Sequence, residues 1–118
     1  MKKILVADDD IDILTLVKMT LGMQGFKVDA VSNWKDIDDR VNQFVPDLIL
    51  LDVSLGGADG RDICKRLKQQ AGTKHIPVIL FSANVEMGES IKECQAEAFI
   101  AKPYELSHFL TTIRSHIN

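Results

Sequence analysis

The sequence predicts an α/β fold in which a doubly wound parallel sheet of five strands alternates with five helices. Two observations predict it. Strand-like and helix-like patterns alternate along the whole chain, the signature of right-handed βαβ units with helices on both faces of a sheet. In addition, four short apolar runs each lead into a residue suited to phosphate chemistry: Ile4 to Ala7 into Asp8 and Asp9, Leu48 to Leu51 into Asp52, Val78 to Phe81 into Ser82, and Ala98 to Ala101 into Lys102. Such runs read as buried parallel strands, and parallel α/β sheets bind ligands at the carboxyl ends of their strands. Three acids, a hydroxyl and an amine are therefore expected in one crevice.

In chain order, strands are expected near Lys3 to Ala7, Lys27 to Val31, Asp47 to Leu51, Val78 to Phe81 and Ala98 to Ala101. The first helix, Ile11 to Met23, is apolar nearly all round and should be heavily buried; Asp10 or Asp12 caps its start, and Gly25 suits its C-terminal cap. In the second helix Trp34, Ile37, Val41 and Phe44 recur at helical spacing, which makes Trp34 a core or rim anchor rather than a cofactor-stacking group. The third helix runs from Gly60 to Gln70 and stops at Gly72, and the fourth spans Met87 to Gln95. The last is the clearest, with Leu106, Phe109, Leu110, Ile113 and Ile117 on one stripe that packs on the sheet.

The chain has 118 residues, 46% of them hydrophobic and 26% charged, which suits one domain with its own core. Lys2 and Lys3 precede an apolar run, but Asp8, Asp9 and Asp10 break it too early for a signal peptide. No apolar stretch approaches the roughly 20 residues that span a bilayer, so a cytoplasmic protein is expected. A formal charge of -3 and a pI near 5.5 speak against direct nucleic-acid binding, which needs clustered Lys and Arg. Cys64 and Cys94 lack metal-ligand spacing and fall beside helical apolar positions, so inert buried thiols are expected. His75, His108 and His116 are scattered and suggest neither a metal site nor a histidine phosphodonor.

Convergence of Asp8, Asp9 and Asp52 would be costly. Two carboxylates about 4 Å apart repel by about 4 kcal/mol at an effective dielectric near 20, a large part of a domain's stability of about 5 to 15 kcal/mol. A shared proton or a divalent cation relieves this. Oxygen donors with no His or Cys nearby, and few of them, suit Mg²⁺ better than Ca²⁺. With the acids neutralised, a phosphoryl group can be held against Asp52 as nucleophile, with Lys102 and Ser82 clamping its oxygens. Helix capping explains one such aspartate, but not five matched placements.

Asp8-Asp9, Asp52, Ser82 and Lys102-Pro103, at these spacings and on these strands, closely resemble the receiver domain of two-component response regulators. The resemblance covers essentially the whole chain. It implies a flavodoxin-like (CheY-like) sheet of strand order 2-1-3-4-5, with residues 1–118 forming a single receiver and no output domain. It further implies that Asp52 accepts phosphate from a histidine kinase or phosphotransfer protein. Asp9 and Asp52 would bind Mg²⁺ through their side chains, Asp8 mainly through water, and Ser54 through its backbone carbonyl. Lys102-Pro103 would be cis, and Ser54 and Asn84 would tune self-dephosphorylation. Phosphorylation would draw Ser82 toward Asp52 and let Phe99, which stands where a tyrosine is more usual, swing inward and alter the face of helix 4, strand 5 and helix 5 that meets a downstream protein.

Two departures from the family pattern stand out. Gly56 replaces a common proline, so the loop after Asp52 is expected to be more mobile, and Gln95 replaces the glycine that usually ends the fourth helix. Among other readings, an aspartyl phosphatase of the haloacid dehalogenase type needs an aspartate where Ser54 stands. A nucleotide-binding fold needs a glycine-rich turn where Asp8 to Asp10 stand. No enzyme acting on a separate substrate is expected, only self-directed phosphoryl transfer with slow self-dephosphorylation. The alternative that keeps the fold is a phosphate-independent pseudo-receiver interaction module. Because the chain stops at Asn118, a stand-alone receiver is expected, although an excised piece of a larger regulator has the same sequence; Met1 directly before the first strand favours a natural start.

Overall fold

The computed structural model describes residues 1–83 and 91–117, and at 91 and 92 the backbone only. Five parallel strands, β1 (Lys3–Ala7), β2 (Lys27–Val31), β3 (Leu48–Asp52), β4 (Val78–Ser82) and β5 (Ala98–Ala101), form one sheet in the order β2-β1-β3-β4-β5. Between them lie α1 (Ile11–Met23), a 3-10 turn (Trp34–Asp36) running into α2 (Ile37–Phe44), α3 (Gly60–Gln69), α4 (Ile91–Cys94 among the described residues) and finally α5 (Leu106–His116). The expected strand order and α/β class are present. The beginning expected for the fourth helix, Met87 to Ser90, lies outside the described residues.

Strand side chains alternate between the two faces, as a period of two requires. Leu5, Ala7, Ile49, Leu51, Val78 and Leu80 pack against Ile37 and Val41 of α2 and Ile63 and Leu67 of α3. Ile4, Val6, Leu48, Leu50, Ile79, Phe81 and Ile100 meet Leu14, Val17 and Leu21 of α1 and Phe109 and Ile113 of α5. The central strands β3 and β4 are buried at every position, which is why they read as unbroken apolar runs. Both reach one residue further than the apolar pattern, taking Asp52 and Ser82 into the sheet.

Several expectations need correction. Helix α1 is not heavily buried: Leu14, Val17 and Leu21 are its fully buried residues and Ile13 is partly buried beside them, while Ile11, Leu16, Met19 and Met23 are all more than half exposed. A helix laid on one face of a sheet hides a single i, i+3, i+7 stripe, whatever the remaining residues are. Leu106 is likewise exposed although it fits the apolar stripe of α5, because it sits in the first turn, beyond the edge of the packed face. Helix α3 does not use Gly72 as its stop. It ends at Gln69, and the buried Thr73 hydroxyl donates to the Leu67 carbonyl at 2.6 Å. Trp34 begins the 3-10 turn instead of an α-helix, but it is half-buried against the core as expected.

The caps show how local chemistry sets element ends. Asp10 accepts from the amides of Asp12 and Ile13 at the start of α1. At the far end Gly25 takes φ +91°, with Phe26 N donating to Leu21 O and Gly25 N to Gly22 O, the paired bonds of a Schellman motif. Gln95 occupies φ +65°, the left-handed conformation for which a glycine would be the unstrained choice. Cys64 and Cys94 are free thiols in the core, where Cys64 Sγ donates to the Cys94 carbonyl at 3.3 Å and burial pushes the Cys64 thiol pKa up.

Candidate functional site

Register places the functional groups. Ala7 pairs with Leu51 and Asp52 with Phe81, while Ser82 pairs with Ala101, so Asp8 and Asp52 emerge level at the carboxyl edge, Ser82 one residue beyond them and Lys102 two. Asp8 is held there by its amide, which donates to Val31 O, and Lys102 by its amide, which donates to Ser82 O. Asp8, Asp52 and Ser82 are buried, and Asp9 is exposed.

Four of the five predicted residues, Asp8, Asp9, Asp52 and Lys102, meet in one crevice, and Ser82 is buried at the end of the neighbouring strand β4. Asp8, Asp9 and Asp52 each present a carboxylate oxygen within 4.8 Å of the others. Lys102 Nζ donates to Asp8 Oδ2 at 3.0 Å and to Asp52 Oδ2 at 3.1 Å, tying the two buried acids together. Their other oxygens are steered by backbone: Asp10 N donates to Asp8 Oδ1 at 2.9 Å and Ser54 N to Asp52 Oδ1 at 3.2 Å. A depression of about 480 Å³ lined by Asp9, Asn33, Trp34, Leu55 and Gly56 borders the acid cluster at Asp9, while Asp8 and Asp52 stay buried behind it.

Burial raises the Asp8 pKa, and the neighbouring Asp52 charge adds to the rise, although the Asp10 amide and Lys102 oppose it. Burial alone would lower the Lys102 pKa. Its bond to Asp8 and the charges of Asp52 and Asp8 outweigh that and hold the ammonium above the ordinary lysine value. Asp8 carries the frustration of the cluster and Lys102 its partial relief.

The donor set fits a hard divalent cation: three clustered carboxylates, one facing solvent, with no His or Cys among them. The loop that follows Asp52 folds back on itself beside the cluster. Leu55 N bonds Ala58 O, Ser54 bridges Asp59, and Gly56 and Gly57 take φ +51° and +104°. A proline, fixed near φ -65°, could not adopt the conformation of Gly56, which accounts for the departure at that position. A Cβ there would also stand 3.4 Å from Asp9 Oδ2.

Two residues escaped the sequence reading. Gly60 was visible only as the start of a helix, yet a Cβ on it would lie 2.1 Å from the Asp52 carbonyl oxygen, so α3 can begin against the end of β3 only through glycine. Phe81 read simply as the end of an apolar run. Its ring centroid is 4.5 Å from Lys102 Nζ. Phe99, the expected aromatic switch, is half-buried against the α2 and α3 side of the core. Ser54 is exposed beside Asp52. Asn84 lies outside the described residues.

This strand order with an acidic crevice at its carboxyl edge defines the CheY-like class of doubly wound domain. The response regulator receiver domain model matches residues 4–114, and the chain belongs to that family. It is 28% identical over 115 residues to the phosphate regulon transcriptional regulatory protein PhoB of Rhizobium meliloti, covering 96% of this chain and 51% of PhoB. It is 30% identical over 118 residues to the polar-differentiation response regulator DivK of Brucella anthropi, covering 98% of this chain and 96% of DivK. The chain thus spans about half the length of several curated relatives that it matches, and nearly all of DivK. Among solved structures, the Vibrio cholerae chemotaxis protein CheY4 superposes with a TM-score of 0.91 at 24% identity, over 99% of both chains, a likeness of fold.

Proposed function

We propose that this receiver domain is a Mg²⁺-dependent phosphoacceptor switch in which Asp52 receives the phosphoryl group. One observation carries the reading: the Asp52 carboxylate is buried at the end of a central strand, with the oxygens of Asp8 and Asp9 within 4.8 Å and the Lys102 ammonium 3.1 Å away. Asp9 and Asp52 would hold the cation with the Ser54 carbonyl, and Asp8 through water. When bound, Mg²⁺ supplies positive charge to the acids and to the phosphoryl oxygens.

In the transfer an Asp52 oxygen attacks phosphorus and a new O–P bond forms. The bond from phosphorus to the donor's imidazole nitrogen breaks, and the nitrogen keeps the electron pair. Lys102 gives its positive charge and an N–H to a phosphoryl oxygen, and the Ser82 hydroxyl, on the next strand, donates to another. The donor is a histidine kinase or histidine phosphotransfer protein. Added charge at Asp52 then draws Ser82 inward, Phe99 follows, and the α4, β5 and α5 face changes for a downstream protein. Turnover is limited to this self-directed transfer and slow hydrolysis. Direct DNA contact has no support in the net charge of -3. We place the protein in the cytoplasm, where such donors lie; among the described residues no helix is long and apolar enough to cross a membrane.

Intact mass after incubation with acetyl phosphate and Mg²⁺ tests this. One phosphoryl group is gained, the gain is lost in Asp52→Asn, and chelation of Mg²⁺ suppresses it. No gain under any condition would make the domain a phosphate-independent interaction module instead.

A further inference from the structure

Phe81 is the penultimate residue of β4, directly before Ser82, and is 1% exposed. Its register partner is Asp52, and partners in a parallel ladder leave the sheet on the same face, so ring and carboxylate stand side by side. Lys102 reaches across both. Its Nζ is 4.5 Å from the ring centroid while it donates to Asp8 and Asp52.

Two hydrogen bonds fix an ammonium only to the line joining its acceptors, about which it can still swing. A third contact sets its position. The ring face carries the negative part of the aromatic quadrupole and attracts the ammonium, all the more because the Lys102 side chain is only 16% exposed. A smaller aliphatic residue would be equally apolar and offer no such attraction. Of the three N–H groups, two go to carboxylates, which leaves one to meet a phosphoryl oxygen once the ring has fixed the orientation.

We propose that Phe81 is a positioning residue of the phosphoacceptor site, whose ring face holds the Lys102 ammonium between Asp8 and Asp52 and thereby sets the rate at which Asp52 is phosphorylated. The inference rests on Asp52 being the acceptor. It adds an aromatic element to a site otherwise built from charges and a hydroxyl.

The test varies the ring's electrostatics at nearly constant shape. Phe81→4-fluorophenylalanine, Phe81→3,5-difluorophenylalanine and Phe81→3,4,5-trifluorophenylalanine withdraw charge from the ring face in steps. With acetyl phosphate and saturating Mg²⁺, the phosphorylation rate should fall with each step, to about a fifth of wild type for the trifluoro ring, equivalent to about 1 kcal/mol of barrier. Phe81→Leu, which keeps an apolar side chain, should be slowed at least as much. Thermal midpoints of the fluorinated proteins should cluster because ring shape is nearly unchanged, and rates that show no order with fluorine number would mean a packing role and overturn the proposal. A wild-type rate shared by the whole series would overturn the positioning role and leave Asp52 as acceptor. A wild-type protein that takes no phosphoryl group would overturn the proposed function and this inference together.

Discussion

Asp59 caps α3 by accepting from the Arg61 amide, and its carboxylate also pairs with the Arg61 guanidinium. That side-chain bond is the main cause holding its pKa below the ordinary 3.8, while partial burial works the other way. A depressed folded pKa means that the charge contributes stability above the unfolded value and loses it as pH falls through the folded one. Asp59→Asn keeps a good cap and removes the charge, so its stability deficit in denaturant titrations should be present at neutral pH and shrink below about pH 4. Gly60, next in sequence, is constrained by shape. With a Cβ only 2.1 Å from the Asp52 carbonyl oxygen, Gly60→Ala must shift either strand end or helix, costing about 1 to 3 kcal/mol and slowing Asp52 phosphorylation. At this scale Asp8, Asp9, Asp52, Ser82 and Lys102 were legible because each closes an apolar run, and strand ends meet by topology. Phe81 and Gly60 were not. A ring beside an ammonium depends on the β3 and β4 register, and a glycine's close approach depends on where α3 lands, neither of which leaves a mark in local composition.

At the level of elements, strands were the most readable, since β3 and β4 are buried on both faces and composition alone marks them. Helix faces were less so. Leu16, Met19 and Met23 look like core residues in a string of letters, yet α1 buries against the sheet the stripe of Leu14, Val17 and Leu21, with Ile13 at its margin. The exposed residues contribute little to folding, and Met19→Lys should change unfolding free energy by no more than about 0.5 kcal/mol. Helix ends were legible where glycine or aspartate caps them, as at Asp10 and Gly25, and hidden where another residue does the work. Val45 closes α2 at φ +51° while 60% exposed, a strained conformation for a β-branched side chain. Val45→Gly relieves that strain at some cost in unfolded-chain entropy, and should raise stability by about 1 kcal/mol, roughly 4 °C in thermal midpoint.

Over the whole molecule, the sheet order places two neighbouring strands, β1 and β3, side by side at its centre, and like charges from both are driven into one crevice. The fold tolerates this through Lys102 and backbone amides, with burial keeping the Asp8 pKa high. A cation bound only by the folded state should therefore stabilise it by mass action. At Mg²⁺ tenfold above its dissociation constant, unfolding should become harder by about 1.4 kcal/mol, and Asp9→Asn should weaken that response. The most direct measurement of the central claim locates the phosphoryl group itself. Borohydride reduction of the acyl phosphate, followed by peptide mass mapping, converts a phosphorylated aspartate into homoserine at its position. Homoserine at position 52, formed only when Mg²⁺ and phosphodonor are both present, is the predicted result; a modified residue elsewhere, or an unaltered Asp52 under those conditions, would contradict it.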